Sequence, residues 1–266
     1  MEKLYKSVIL LDKPLGLTSL ECSQKIREIF SAKKSGHAGT LDPNARGVLV
    51  VALDEATKAV PVFMGADKEY EGVMHIHRDF SEEEIEKAVN FFRGKIIQKP
   101  PVKSAVSRKP RIREVYSFDV KKVCGRDVYF HITCQAGTYI RKVCSDIGEK
   151  MGTRAHLKSL VRTRAGPFSI KECVSFEVIE RNPCKCLVPL EKALERVGLK
   201  RVFVMEGFAG KIISGSPVFR EYVEKSDKGM EKGEMVGVFS GERITALGSY
   251  VGGERIVAKT ERVFRC

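Results

Sequence analysis

At 266 residues, 43% hydrophobic and 8% aromatic, the chain is long enough for two domains, or for one large domain with an appendage, and too apolar for a disordered one. Lysine and arginine total 47 against 34 acidic residues, a formal charge of +13 with a pI near 9.4. That surplus favours a polyanionic partner, nucleic acid before an anionic membrane surface. No apolar run approaches the roughly 20 residues a bilayer span needs, and MEKLYKSVILLDKP reads as a first strand rather than a signal peptide.

In chain order, Ser7 to Leu11 forms a strand that runs into the turn DKPLG. Thr18 and Glu21 have capping-box spacing, and Cys22, Ile26, Ile29 and Phe30 then repeat at helical intervals. Gly47 to Leu53, GVLVVAL, is short, continuous and β-branched, which predicts a buried strand. Lys68 to His77 alternates like a half-buried strand. Ser81 with Glu84 caps a helix lined by Ile85, Ala88, Val89 and Phe92. Strands near 115–123 and 127–134 meet at Gly125 as a hairpin. After Gly137 the period turns helical through Ile140, Val143, Ile147 and Met151, so 138–141 sits at a strand-to-helix corner. Beyond about 200 the texture changes to short strands between Gly-rich turns, with one small helix near 206–213, the pattern of a small RNA-binding β-barrel. The segment around Pro183 and Pro189 is the expected connection, giving domains 1–190 and 191–266.

The eight cysteines form no CxxC pair, and Cys184-Lys185-Cys186 has the wrong spacing for a zinc knuckle. They are expected to be reduced thiols, mostly small buried groups. His75 and His77 share one strand face but lack a third ligand, so no metal site is expected.

The most unusual segment is Gly36-His37-Ala38-Gly39-Thr40-Leu41-Asp42-Pro43. Gly36 and Gly39 permit tight or left-handed backbone, and Pro43 keeps Asp42 extended. A carboxylate is thereby fixed on a stiff loop at the mouth of a buried strand. Taken alone, an Asp-Pro turn with a local backbone hydrogen bond explains it as well. Tyr70 opens the next strand, and Tyr139 and Arg141 occupy the strand-to-helix corner. An arginine opposite Asp42 would hold it ionised and oriented, and a tyrosine can stack on an extruded base or move a proton.

Five segments, DKPLGLTS (12–19), GHAGTLDPNARGVLVV (36–51), KEY (68–70), GTYIRKVCSDIG (137–148) and AHLKSLVRTRAGPF (155–168), resemble in order and spacing the motifs of TruB-type pseudouridine synthases. QKPPVKSAVSRKPRIREVY (98–116) is closer to the dyskerin-type catalytic subunit of archaeal and eukaryotic box H/ACA particles, and residues from roughly 200 to 264 resemble a PUA domain. The resemblance implies an α+β fold, a catalytic domain on an extended mixed or antiparallel sheet with a small C-terminal PUA-like β-barrel. It implies that Asp42 attacks the ribose or removes a ribose proton, the two routes staying open. Tyr139 assists proton removal and Arg141 pairs with the aspartate. Tyr70 stacks on the target base, His37 helps hold the flipped nucleotide, Leu160 lies beside the base, and Lys13 with Pro14 supports the pocket. The isomerisation calls for no cofactor and no metal.

The expected partners are guide RNA, substrate rRNA or tRNA, and small H/ACA accessory proteins, with no membrane. Lys99 to Arg126 carries nine basic and two acidic residues, and Lys150 to Lys171 carries six and none, an RNA track on this reading. A guide-dependent synthase is favoured over a stand-alone enzyme for the TΨC loop of tRNA, and both over a non-catalytic RNA-binding scaffold. The few residues before the first strand and the lack of a Lys-rich tail suggest an archaeal-like minimal protein. It would be cytoplasmic, or nucleolar if eukaryotic. Removing the chain beyond about 195 is expected to weaken RNA binding and leave the pocket folded.

Overall fold

The computed structural model describes residues 6–99 and 109–265. Its larger part runs through β1 (Ser7–Lys13), α1 (Ser19–Ile29), β2 (Ser35–Ala38), β3 (Ala45–Leu53), α2 (Val60–Met64), β4 (Lys68–Ile76), α3 (Glu82–Phe91), β5 (Gly94–Gln98), β6 (Arg111–Cys124), β7 (Asp127–Cys134), α4 (Ile140–Lys150), β8 (Ala155–Ala165), β9 (Phe168–Ser169), α5 (Phe176–Arg181), β10 (Val188–Pro189) and α6 (Leu190–Arg196). The C-terminal part adds β11 (Arg201–Val204), α7 (Ala209–Ile213), β12 (Val218–Phe219), β13 (Val223–Ser226), β14 (Met235–Ser240), β15 (Arg243–Tyr250) and β16 (Ile256–Val263).

The large sheet has the order β10-β1-β3-β8-β4-β7-β6-β5, with β2 also on β3 and β9 on β8. Only β3 and β8 run parallel, through Ala45, Arg46 and Gly47, and the other pairs are antiparallel. Both faces of its centre are buried, as a two-residue side-chain period requires. Val8, Leu10, Val48, Val50 and Ala52 face one apolar cluster, and Ile9, Leu11, Leu49, Val51 and Leu53 face another. That is why GVLVVAL is apolar without interruption. Further along the sheet, α3 and α4 cover Met74, Ile76, Phe118 and Phe130 with Ile85, Val89, Ile140, Val143 and Ile147.

The C-terminal part is a six-stranded sheet, β12-β16-β15-β14-β11-β13, around Val202, Ile212, Val236, Val238 and Ala246. It includes β12 and β13, which the sequence did not suggest. Phe239, Ile244, Leu247 and Phe264 turn away from that core and join Val8, Val48, Phe63 and Leu194 in the large domain's cluster. Around this shared core, Lys58 Nζ donates to the Val263 carbonyl at 2.7 Å and the Arg265 N–H to Glu55 at 2.8 Å. Removing the chain beyond 195 would therefore open the core of the large domain, contrary to the expectation of an independent pocket.

Candidate active site

Asp42 lies on the connection between β2 and β3, where β3 passes from β8 to β2 as its neighbour. The segment Gly36 to Ala38, expected as loop, is strand β2, and Gly36 has no left-handed backbone. The turn proper begins at Gly39, with φ +82, and closes with the Ala45 N–H on the Asp42 carbonyl at 3.0 Å. Gly47, with φ +107, lets β3 touch β8, since a Cβ there would come within 2.3 Å of the Arg162 carbonyl oxygen.

Buried side chains from three elements hold the turn. Ser19 Oγ accepts from the Leu41 N–H at 2.8 Å and donates to the Leu41 carbonyl at 3.0 Å. Lys13 Nζ donates to the Pro14 and Ala45 carbonyls at 2.9 and 2.8 Å. Arg162 Nε donates to the Val48 carbonyl at 2.7 Å, and its Nη2 to the Gly39 carbonyl at 2.9 Å. The backbone of Gly16 adds a bond to the Pro43 carbonyl at 2.9 Å. Ser19, Lys13 and Arg162 are 1%, 0% and 1% exposed, so each bond is made where water cannot replace it.

On this base the carboxylate itself is open, 41% exposed, and Arg141 at 59% faces it. Arg141 Nε lies 2.8 Å from Oδ2 and donates from Nη2 to Oδ1 at 2.9 Å, a two-pronged charge-assisted pair. Arg141 is in the first turn of α4 and Tyr139 is that helix's N-cap, half-buried. Tyr70, Leu41, Ala45 and Leu160 belong to one apolar cluster beneath the pair. Burial holds the Tyr70 phenol above its ordinary range, against the opposing pull of Arg162. His37 is half-buried with Nε2 3.3 Å from Thr40 Oγ1, and burial together with the Arg162 charge lowers its pKa, favouring the neutral ring.

Asp42 and Arg141 therefore meet directly, Tyr139 caps the helix that carries Arg141, Tyr70 and Leu160 share an apolar cluster with Leu41, and His37 lies on β2 ahead of the turn. The Lys13 ammonium is turned inward and spent on carbonyls, so it holds the turn and is no contact for a substrate. Arg162 and Lys68 went unassigned in the sequence. Lys68 is 4% exposed and donates to the carbonyls of Phe63, Met64 and Ala66. Burial lowers its pKa to about 8, and the Arg162 charge adds to that. Alternation was the available signal, since Lys68 shares its face of β4 with buried Tyr70, Met74 and Ile76, and Arg162 lies two residues from buried Leu160.

The basic run from Lys150 to Lys171 is also less open than its composition suggests. Arg162 is inside, Lys158 pairs with Asp127 at 2.6 Å, and Arg164 pairs with Glu69 at 2.5 Å. Residues 100–108, within the segment 98–116 that carries the dyskerin-type resemblance, lie outside the described residues. His75 and His77 are joined by His156, with ring centroids 5.0–5.3 Å apart. No group of three or more His, Cys, Asp or Glu able to hold a metal occurs among the described residues. No helix among them is long and apolar enough to cross a membrane.

Comparison with known proteins bears on this site. A family model described as TruB family pseudouridylate synthase (N terminal domain) matches residues 27–84 and 75–140. Another, tRNA pseudouridylate synthase B C-terminal domain, matches 141–195. A "Probable tRNA pseudouridine synthase B" of Methanopyrus kandleri is 41% identical over 261 residues, covering 93% of this chain and 76% of that one. A protein of the same name from Methanocaldococcus jannaschii is 41% identical over 249 residues, covering 89% and 74%. Among solved structures, one of a Cbf5-Nop10-Gar1 complex matches with TM-score 0.89 and 34% identity over 99% of this chain and 86% of that one. One of an H/ACA RNP bound to a substrate RNA containing 2'-deoxyuridine matches with TM-score 0.86 and 32% identity, over 100% and 87%. The alignment includes the C-terminal, PUA-like sheet.

Proposed function

The chain belongs to the TruB family of pseudouridine synthases and isomerises uridine in RNA, and from that premise we propose that it is the catalytic subunit of a box H/ACA guide-RNA particle, with Asp42 as the reacting carboxylate. One observation carries the assignment of Asp42: a carboxylate on a core-pinned turn, paired at both oxygens with Arg141 and still open to a substrate. A solvated surface aspartate needs no such support.

The uridine must leave its stack before C1′ and C5 can be reached. Tyr70 and Leu160 offer apolar surface for the extruded base, and neutral His37 a hydrogen-bonding edge. Arg141 keeps the carboxylate aimed. Asp42 then adds to the ribose, or takes a ribose proton, as the N-glycosidic bond breaks. The freed uracil rotates and bonds to the ribose through C5, and Tyr139 assists loss of the C5 proton. Atoms are conserved, so no cofactor is needed.

The guide-dependent role is supported by the two matching structures, one a complex with Nop10 and Gar1 and the other bound to a substrate RNA, and by the net charge of +13. A stand-alone tRNA enzyme is the second reading, favoured by the names of the relatives from Methanopyrus and Methanocaldococcus.

The test measures tritium release from uracil C5 with the full chain, on a TΨC stem-loop alone and on an rRNA-like target. The target is assayed with and without a box H/ACA guide, Nop10 and Gar1. Slow reaction of the isolated protein and fast reaction of the assembled set is expected. Full multiple turnover on tRNA, with no binding of guide RNA at physiological salt, would make it the stand-alone enzyme. Asp42→Asn should abolish release and leave RNA affinity nearly intact. Turnover within about tenfold of wild type would remove Asp42 from its role, because loss of a nucleophile or base costs far more.

A further inference from the structure

We infer that Gln98 is a positioning residue for the reaction, fixing the peptide from which Tyr139 and Arg141 are presented to Asp42. The inference rests on the roles proposed above for Tyr139 and Arg141. Gln98 is the last residue of β5, paired across the sheet with Arg111, and is 2% exposed. Its carboxamide makes two hydrogen bonds, both to one residue. Oε1 accepts the Tyr139 N–H at 3.0 Å, and Nε2 donates to the Tyr139 carbonyl at 3.2 Å. Only one orientation of the amide satisfies both, so the pair specifies a direction as well as a contact.

Tyr139 needs this outside support. It is the N-cap of α4, has extended backbone and makes no side-chain cap of its own. Its carbonyl already accepts from the N–H groups of Lys142 and Val143 at 3.0 Å each, whereas the described hydrogen bonds give its N–H Gln98 alone. Two residues on, Arg141 carries both bonds to Asp42. The residues before it lean on β6, the strand paired with β5: the Gln135 N–H donates to the Glu114 carbonyl at 2.8 Å. Gly137 sits so close to Arg113 that a Cβ would come 3.2 Å from Nε. The peptide that aims the phenol and begins the Arg141 turn is thus set by a buried amide on a different strand. Small misplacements at such a position weigh on the chemical step more than on binding.

The experiment compares Gln98→Met and Gln98→Glu with the wild-type full chain. Single-turnover tritium release is read on the RNA set that the wild type converts, beside RNA affinity and thermal stability. Methionine keeps the volume and removes both bonds. A rate constant lower by on the order of 10- to 100-fold, with RNA affinity within about threefold, is expected. Glutamate provides a control that folding alone would not mimic. Its neutral carboxyl reproduces acceptor and donor, and its ionised form cannot donate to the Tyr139 carbonyl. The rate of Gln98→Glu relative to wild type should therefore recover as pH falls from about 8 to about 5. If Gln98→Met fails to fold, this recovery decides the matter. A flat ratio across that range, or a Gln98→Met rate within twofold of wild type, overturns the inference while the roles of Asp42 and Tyr139 stand. A wild type that forms no pseudouridine with any RNA combination overturns both.

Discussion

The two walls of the cleft are built differently. The wall that carries Asp42 is a turn tied to α1, β1 and β8 by Ser19, Lys13 and Arg162, all of them buried. The wall that carries Tyr139 and Arg141 rests on the paired strands β5 and β6 and on the apolar face of α4, and the buried tie to the Tyr139 peptide is Gln98. The first wall is part of the core, so its geometry and the protein's stability are one property. The second has α4 packed on the core through Ile140 and Val143, but the peptide that aims Tyr139 hangs on one buried amide, so its aim can change while the helix stays packed. Substitutions behind Asp42 should therefore cost stability and activity together, whereas substitutions behind Tyr139 should cost mainly activity.

The largest effect is expected for Arg162→Met, which leaves the Gly39 and Val48 carbonyls without their buried donor and should cost about 3 kcal/mol. Chemical denaturation reads it, and a loss below about 1 kcal/mol would mean that the turn does not depend on the core. Lys68→Met tests the same wall through pH. The folded-state pKa of Lys68 is about 8, below the roughly 10.4 of an unfolded chain. Between those values the unfolded chain binds more protons, so this residue makes the wild type gain stability as pH rises through the window. The variant lacks that contribution. Unfolding midpoints of the two proteins at several pH values should diverge in favour of the wild type from about 8 to about 10.4, and parallel curves would refute the burial cost. Ser19→Ala is the smallest change, about 1 kcal/mol from loss of the two bonds to Leu41. Should Gln98→Met destabilise the protein as much as Arg162→Met, the contrast between the walls would disappear.

Much of the site was legible because its signals are local. The Thr18–Glu21 and Ser81–Glu84 capping boxes are both present, and Asp42 meets Arg141 across 99 residues as the family resemblance implied. What escaped was the destination of individual charges. Lys13, Lys68 and Arg162 are cations satisfied by carbonyls of other segments, and a sequence shows their charge and not their partners. Counting Arg162 into a basic track assumed that charge means surface. Gln98 was hidden for a related reason, since it opens a segment whose lysines and arginines drew attention and its partner lies 41 residues away. Strand β2 was read as loop because its glycines suggest turns, although its pairing with β3 satisfies the backbone of Gly36 to Ala38.

Phe239, Ile244, Leu247 and Phe264 enter the large domain's core from the C-terminal sheet. A calorimeter should accordingly see the two domains melt as one body, with a single endotherm whose calorimetric and van't Hoff enthalpies agree. It also makes the molecule a rigid gauge. On the guide-RNA reading proposed above, RNA bound at the C-terminal sheet and opened at Asp42 would have to span a fixed separation, so a duplex a few base pairs too long or too short would be rejected by length before any base is read.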